Sequence, residues 1–187
     1  MRKLVLILVV LSSLYGCDRI APVRSINQHN EFIREASFEL GYPKDWKISN
    51  EEDHTNPDHD IIRYRFRHPK NRECYVLIEI LNLAKQSTQT NPQLSKIVPS
   101  QIRLFKDIFE RSGYKDFSFK TSQMSMAGRM ATRLTLTAYK SRTTRTIIAK
   151  ILLYKNNVYT ISYQWFDPWT EEIRQRLEEI TQSFRLF

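Results

Sequence analysis

Glycine is scarce in this chain, with four in 187 residues, and none of them stands in a G-x-x-x-x-G-K or G-x-G-x-x-G setting. Without such a loop there is no backbone cradle for a nucleotide's phosphates. Cysteine is scarcer still, with two, too few for a disulfide framework, so the core must hold the fold unaided. Neither G-x-S-x-G nor H-E-x-x-H occurs, and no Cys stands close to a His, which removes the common sequence signatures of hydrolases and zinc proteases. No internal repeat is visible. The apolar run at residues 4–14 covers only about eleven positions, short of the ~20 that cross a bilayer. Charge of one sign prevails: 29 Lys and Arg stand against 20 Asp and Glu, a formal +9 that favours anionic partners.

What is present at the start is directional. Met1, Arg2 and Lys3 form a short positive head, the apolar run follows, and Leu14, Tyr15 and Gly16 lead into Cys17. This build matches an export signal rather than a spanning helix. The segment resembles the lipobox of bacterial lipoproteins, which implies cleavage after residue 16 and a diacylglyceryl group on the Cys17 thiol. Asp18 resembles the signal that keeps enterobacterial lipoproteins in the inner membrane. Residues 17–35, polar and interrupted by Pro22, are then expected to be the tether between anchor and fold. Export leaves the lipid headgroup surface and envelope proteins as partners and removes nucleic acid. Cys74 sits in the apolar run CYVLIEI, where a buried, inert thiol is expected.

Periodicity sets the elements. In residues 37–43 Phe38, Leu40 and Tyr42 share one side of a strand that Pro43 ends, and a short strand around Trp46 and Ile48 follows. Ile62, Tyr64 and Phe66 oppose Arg63, Arg65 and Arg67 in the next strand, and a turn at residues 68–73 delivers the chain to CYVLIEIL. That strand is apolar on both faces, as expected of a central strand under helices. Residues 84–98 read as an exposed polar loop. Ser100 is the expected N-cap of a helix with Ile102, Phe105, Ile108 and Phe109 on one stripe and Gly113 at its end. Alternation resumes at Phe117, turns at residues 126–129 into the strand MATRLTLTAY, and two more strands follow, TIIAKILLY and VYTISYQWF, joined at Asn156 and Asn157. In the closing helix Asp167 caps, Pro168 takes the first position, and Trp169, Ile173, Leu177, Ile180 and Phe184 line one face. This order predicts an α+β fold, an antiparallel β-sheet covered by helices, in one domain over residues 36–187.

Four stretches, FELGYPKDWKI, AGRMATRLTL, NNVYTISYQ and EEITQSFRLF, resemble in that order the PsbP-like family of α/β/α sandwich proteins. That family includes photosystem II extrinsic subunits and many bacterial lipoproteins. Its aromatic-Pro-x-x-Trp turn corresponds here to Tyr42, Pro43 and Trp46, and its closing Ser-Phe to Ser183 and Phe184, all of them core or turn positions. The resemblance implies a fold and says almost nothing of function.

Two clusters remain as candidate sites. Residues 51–60, EEDHTNPDHD, gather five acidic residues and two histidines in ten positions. Imidazole with carboxylate suits a divalent metal, so His54, Asp58, His59 and Asp60 are candidate ligands; a solvated turn around Pro57 is the competing reading. Metal association known in the PsbP-like family points the same way. Arg63, Arg65 and Arg67 on one strand side, with Arg133, Lys140, Arg145 and Lys150, form an expected patch for lipid heads or an acidic protein; an edge strand guarded by charge competes. The expected function is a membrane-anchored envelope lipoprotein acting as a non-catalytic binding or assembly module, without a required cofactor. The alternative is a periplasmic protein binding a metal or small ligand through residues 51–60. The sequence leaves the oligomeric state open.

Overall fold

Strand alternation dominates the structure as it does the sequence. The computed structural model describes residues 30–35, 37–53, 60–71, 73–83, 93–166 and 171–187, and among them lie ten strands and two helices. In chain order they are β1 (Asn30–Arg34), β2 (Phe38–Pro43), β3 (Lys47–Asp53), β4 (Asp60–Arg67), β5 (Tyr75–Asn82), α1 (Leu94–Arg111), β6 (Lys115–Met126), β7 (Arg129–Lys140), β8 (Thr143–Tyr154), β9 (Asn157–Phe166), α2 (Glu171–Gln182) and β10 (Arg185–Leu186). Seven strands form one sheet in the order β3-β4-β5-β9-β8-β7-β6, and three form a small second sheet, β1-β2-β10. Every pairing in both is antiparallel.

The register sorts side chains between two cores, because successive residues of a strand face opposite ways. In β8, Ile147, Ala149 and Ile151 join one core, while Ile148 and Leu152 join the other. Val98, Phe105 and Phe109 of α1 pack into the first of these with Leu134, Leu136 and Ala138 of β7. Leu177 and Ile180 of α2 pack into the other with Tyr159 and Ile161 of β9, Ile78 of β5, and Phe38 and Leu40 of β2. The fold is thus α+β, two helices with a mostly antiparallel sheet.

Local chemistry explains the joints. Helix α1 ends where Gly113 adopts φ +78°; its N–H bonds to the carbonyl of Glu110 and that of Tyr114 to Phe109, while the Phe109 and Tyr114 rings meet at 5.4 Å. This is a Schellman closure with its apolar contact, and the left-handed backbone suits glycine. Ala127 and Gly128, at φ 49° and 70°, make the tight β6 to β7 turn that right-handed strand twist favours. At the other end, the Ser183 hydroxyl accepts from the Gly41 N–H at 2.9 Å and ties β2 to the end of α2. A Cβ at Gly41 would meet the Phe32 ring at 3.0 Å, so the strands approach closely there.

Three expectations need correction and one holds. β1, paired along its length with β2, lies inside the stretch expected to be tether, so ordered pairing begins ahead of residue 36. Helix α1 starts at Leu94, earlier than Ser100, and carries Pro99 inside it; proline reads as a helix start, but here the preceding turn is held by Val98 packing against the core. β5 lies inside the sheet between β4 and β9, as expected of a central strand, with Val76, Ile78 and Ile80 buried on one face and Leu77 and Leu81 half-buried on the other. The β8 to β9 turn falls on Lys155 and Asn156, both at positive φ, one residue ahead of the asparagine pair. Asp167, Pro168 and Trp169 lie outside the described residues.

Candidate functional site

Helix α2 has two unlike flanks. Ile173, Leu177 and Ile180 point into the core, Arg174, Glu178 and Thr181 lie to one side, and Glu172, Arg176 and Glu179 to the other.

On the first flank, β8 presents Lys150 from the middle of an apolar run, 2% exposed. Its ammonium donates to Glu178 Oε1 at 2.7 Å and to Thr181 Oγ1 at 2.6 Å. Tyr163 of β9 donates its hydroxyl to Glu178 Oε2 at 2.6 Å, and Arg133 of β7 stands 3.8 Å from Glu178 Oε1. Burial raises the carboxyl's proton affinity, but Lys150, Tyr163 and Arg133 outweigh it and leave Glu178 below the usual carboxylate range. Burial likewise lowers the Lys150 ammonium, with Glu178 opposing, and burial and Glu178 together raise the Tyr163 hydroxyl. Among the described residues no buried polar side-chain atom of this group lacks a partner, so the flank holds the helix to the sheet.

The second flank is open. Trp46 closes the β2 to β3 turn by donating its backbone N–H to Pro43 at 2.9 Å, and the β4 to β5 connection brings in His68 and Cys74, linked by a 2.9 Å bond from the His68 N–H to the Cys74 carbonyl. With α2 these segments enclose a cavity of about 440 Å³, lined by Pro43, Asp45, Trp46, His68, Cys74 and the α2 flank. The Trp46 and His68 rings meet edge-on, 5.6 Å apart at 82°. His68 Nδ1 accepts from the Lys70 N–H at 3.2 Å, which in the neutral ring leaves Nε2 as the donor. Arg176 pairs with Glu179 at 3.2 Å, while Asp45 and Glu172 make no ion pair among the described residues. At the floor, burial pushes the Cys74 thiol up to about 11. A thiol so held is protonated at neutral pH and is a poor nucleophile. The cavity has an aromatic wall and surplus carboxylate, which suits holding a cationic group.

The sequence-derived candidates are distributed otherwise than expected. Cys17, His54, Asp58 and His59 lie outside the described residues; Asp60 opens β4 opposite Asn82. Arg63, Arg65 and Arg67 do share one side of β4, but Arg63 donates to Glu79 of β5 at 2.9 Å, and Arg65 lies 3.8 Å from Glu51 of β3 and 5.4 Å from the Tyr75 ring. The wider basic patch does not form. Register sends Arg133 and Lys150 to the opposite face of the sheet, and Lys140 donates to the Ser112 carbonyl at 2.9 Å. Arg145 is enclosed by the rings of Phe109, Tyr114 and Phe166, 4.9 to 5.8 Å from its guanidinium, where burial lowers its proton affinity. Sequence reading missed the cavity because its walls come from three distant segments; it also missed Glu178, although a lysine inside TIIAKILLY signals a buried partner.

No protein-family model matches the sequence, nor does any curated protein. Among solved structures, the solution structure of the cyanobacterial PsbP (CyanoP) from Synechocystis is 13% identical, with 85% of this chain and 93% of that one covered, at a TM-score of 0.61. A protein of Bacteroides thetaiotaomicron is 16% identical over 86% of this chain and 49% of its own, at 0.48. LpqN of Mycobacterium tuberculosis, described as involved in cell envelope biogenesis, is 12% identical over 84% and 90%, at 0.42. The chain therefore has a PsbP-like fold, as the sequence resemblance implies. No described helix is long and apolar enough to cross a membrane.

Proposed function

We propose that the chain is a membrane-tethered protein of the bacterial envelope, held by lipid on Cys17, and that it works as a non-catalytic binding module. We read its two cores as the two interfaces of an α/β/α sandwich. One observation carries the binding reading: the cavity beside α2 is walled by an aromatic ring and by Asp45 and Glu172, which make no ion pair among the described residues, while burial keeps its Cys74 thiol protonated at neutral pH. Such a site holds a ligand and does not attack it. Lys150, Tyr163 and Glu178, whose proton affinities are all shifted by burial and by one another, are taken up in holding α2.

The ligand is a small molecule or a protruding partner segment with a positive group on an apolar body. The chain is basic overall, yet three carboxylates, Asp45, Glu172 and Glu179, face a single arginine at this cavity. A local reversal of sign selects the cation, and the Trp46 ring receives its apolar part. Lipid attachment raises the local concentration near a membrane complex. Metal binding by His54, Asp58, His59 and Asp60 stays a separate proposal; titration of the chain with zinc, manganese and calcium, with His54→Ala and His59→Ala together as control, tests it. The main reading is tested by detergent phase partition and by partner recovery from membranes. Native protein should enter the detergent phase and Cys17→Ser the aqueous phase; equal partition of the two overturns the tether.

A further inference from the structure

The two edges of the seven-stranded sheet are built differently. β3, at one edge, has seven residues, four of them charged: Lys47, Glu51, Glu52 and Asp53. Such an edge resists pairing with another chain. β6, at the other, has twelve residues, and from Phe117 to its end Lys120 is the sole charge, with no proline. Among the described residues no strand pairs with its outer side. Its side chains are mostly exposed, and Phe119 is 61% exposed.

An antiparallel strand can pair with its own copy about a two-fold axis normal to the sheet, which keeps each face continuous and sets one residue opposite itself. In β6 the register is regular from Ser118 to Met126, and its midpoint is Ser122. Centring there places Lys120 opposite Met124 and not opposite its own copy, so like charges do not meet. It also places Phe119 opposite Ser125 of the second copy. Ser125 is paired with Met130, which is 70% exposed and shares its face with Phe119. A small serine between them lets ring and thioether cover one another, twice by symmetry.

We propose that β6 pairs antiparallel with β6 of a second copy of this chain, centred on Ser122, and joins two sheets into one. The test uses the full chain in mild detergent, carrying Ser122→Cys or, as a control that is also exposed, Ser141→Cys, oxidised gently and read by non-reducing gel and peptide mass. The expected result is a disulfide between two copies at position 122, in yield about tenfold above the Ser141→Cys control. Adding Phe119→Lys should abolish that yield and leave a folded monomer by circular dichroism and sedimentation. Equal yields at the two positions, or a native chain that sediments as a monomer at about 100 μM, overturns the proposal. A disulfide at 122 to a different protein overturns it too, in favour of strand addition by a partner.

Discussion

The two flanks of α2 carry the same kinds of residue to opposite ends. On one, the Glu178 carboxylate receives the Lys150 ammonium, the Tyr163 hydroxyl and the nearby Arg133, and nothing is left over for a ligand. On the other, Asp45 and Glu172 border a cavity and stay unpaired among the described residues. The difference teaches that charge alone does not mark a site. A carboxylate met from three sides is a fastening, whereas one left over beside an aromatic wall is a contact in waiting.

The contrast breaks first at the fastening. Glu178→Ala strands a buried ammonium and should cost about 3–5 kcal/mol in equilibrium urea unfolding, while Lys150→Met with Glu178→Leu should recover most of that loss. Cys74 gives the next largest effect. Raised from 9.0 to about 11 by burial, its thiol should be alkylated at pH 8 at least about a hundredfold more slowly in folded than in unfolded protein, measured by mass against time.

Acid sharpens the comparison further. The folded Glu178 carboxyl binds its proton less tightly than the unfolded one, so its contribution is complete above the ordinary carboxylate range and is lost as pH falls through the folded value. A Glu178→Gln variant should therefore show a flatter acid limb in a plot of melting temperature against pH between 3 and 7. Smallest is the open flank: Asp45→Asn with Glu172→Gln should change unfolding free energy by less than about 0.5 kcal/mol and still weaken cation binding, read from the Trp46 indole signal by NMR. A loss as large as that of Glu178→Ala would make both flanks fastenings.

Much of this fold was legible because strand alternation is local. Phe38, Leu40 and Tyr42 fall on the core side of β2 as their spacing requires, and Tyr64 and Phe66 do so in β4. Gly113 ended its helix for a reason visible in the residue itself. What escaped is non-local. β1 is a strand because β2 offers it a partner, and the first turn of α1 is helical because Leu94 and Val98 reach the core despite Pro99. The arginines of β4 share a face, as read, but their carboxylate neighbours come from β3 and β5, pairings that no linear spacing states. The cavity joins residues more than a hundred positions apart, so only the folded chain displays it.

The central claim, a tethered module that binds through the open flank of α2, is tested most directly by one quantitative recovery from native membranes in mild detergent, comparing the native chain with Cys17→Ser and with Asp45→Asn plus Glu172→Gln. The account predicts a stoichiometric companion, protein or small molecule, with the native chain and its loss from both variants. Equal recovery with all three, or nothing enriched with any, would contradict it.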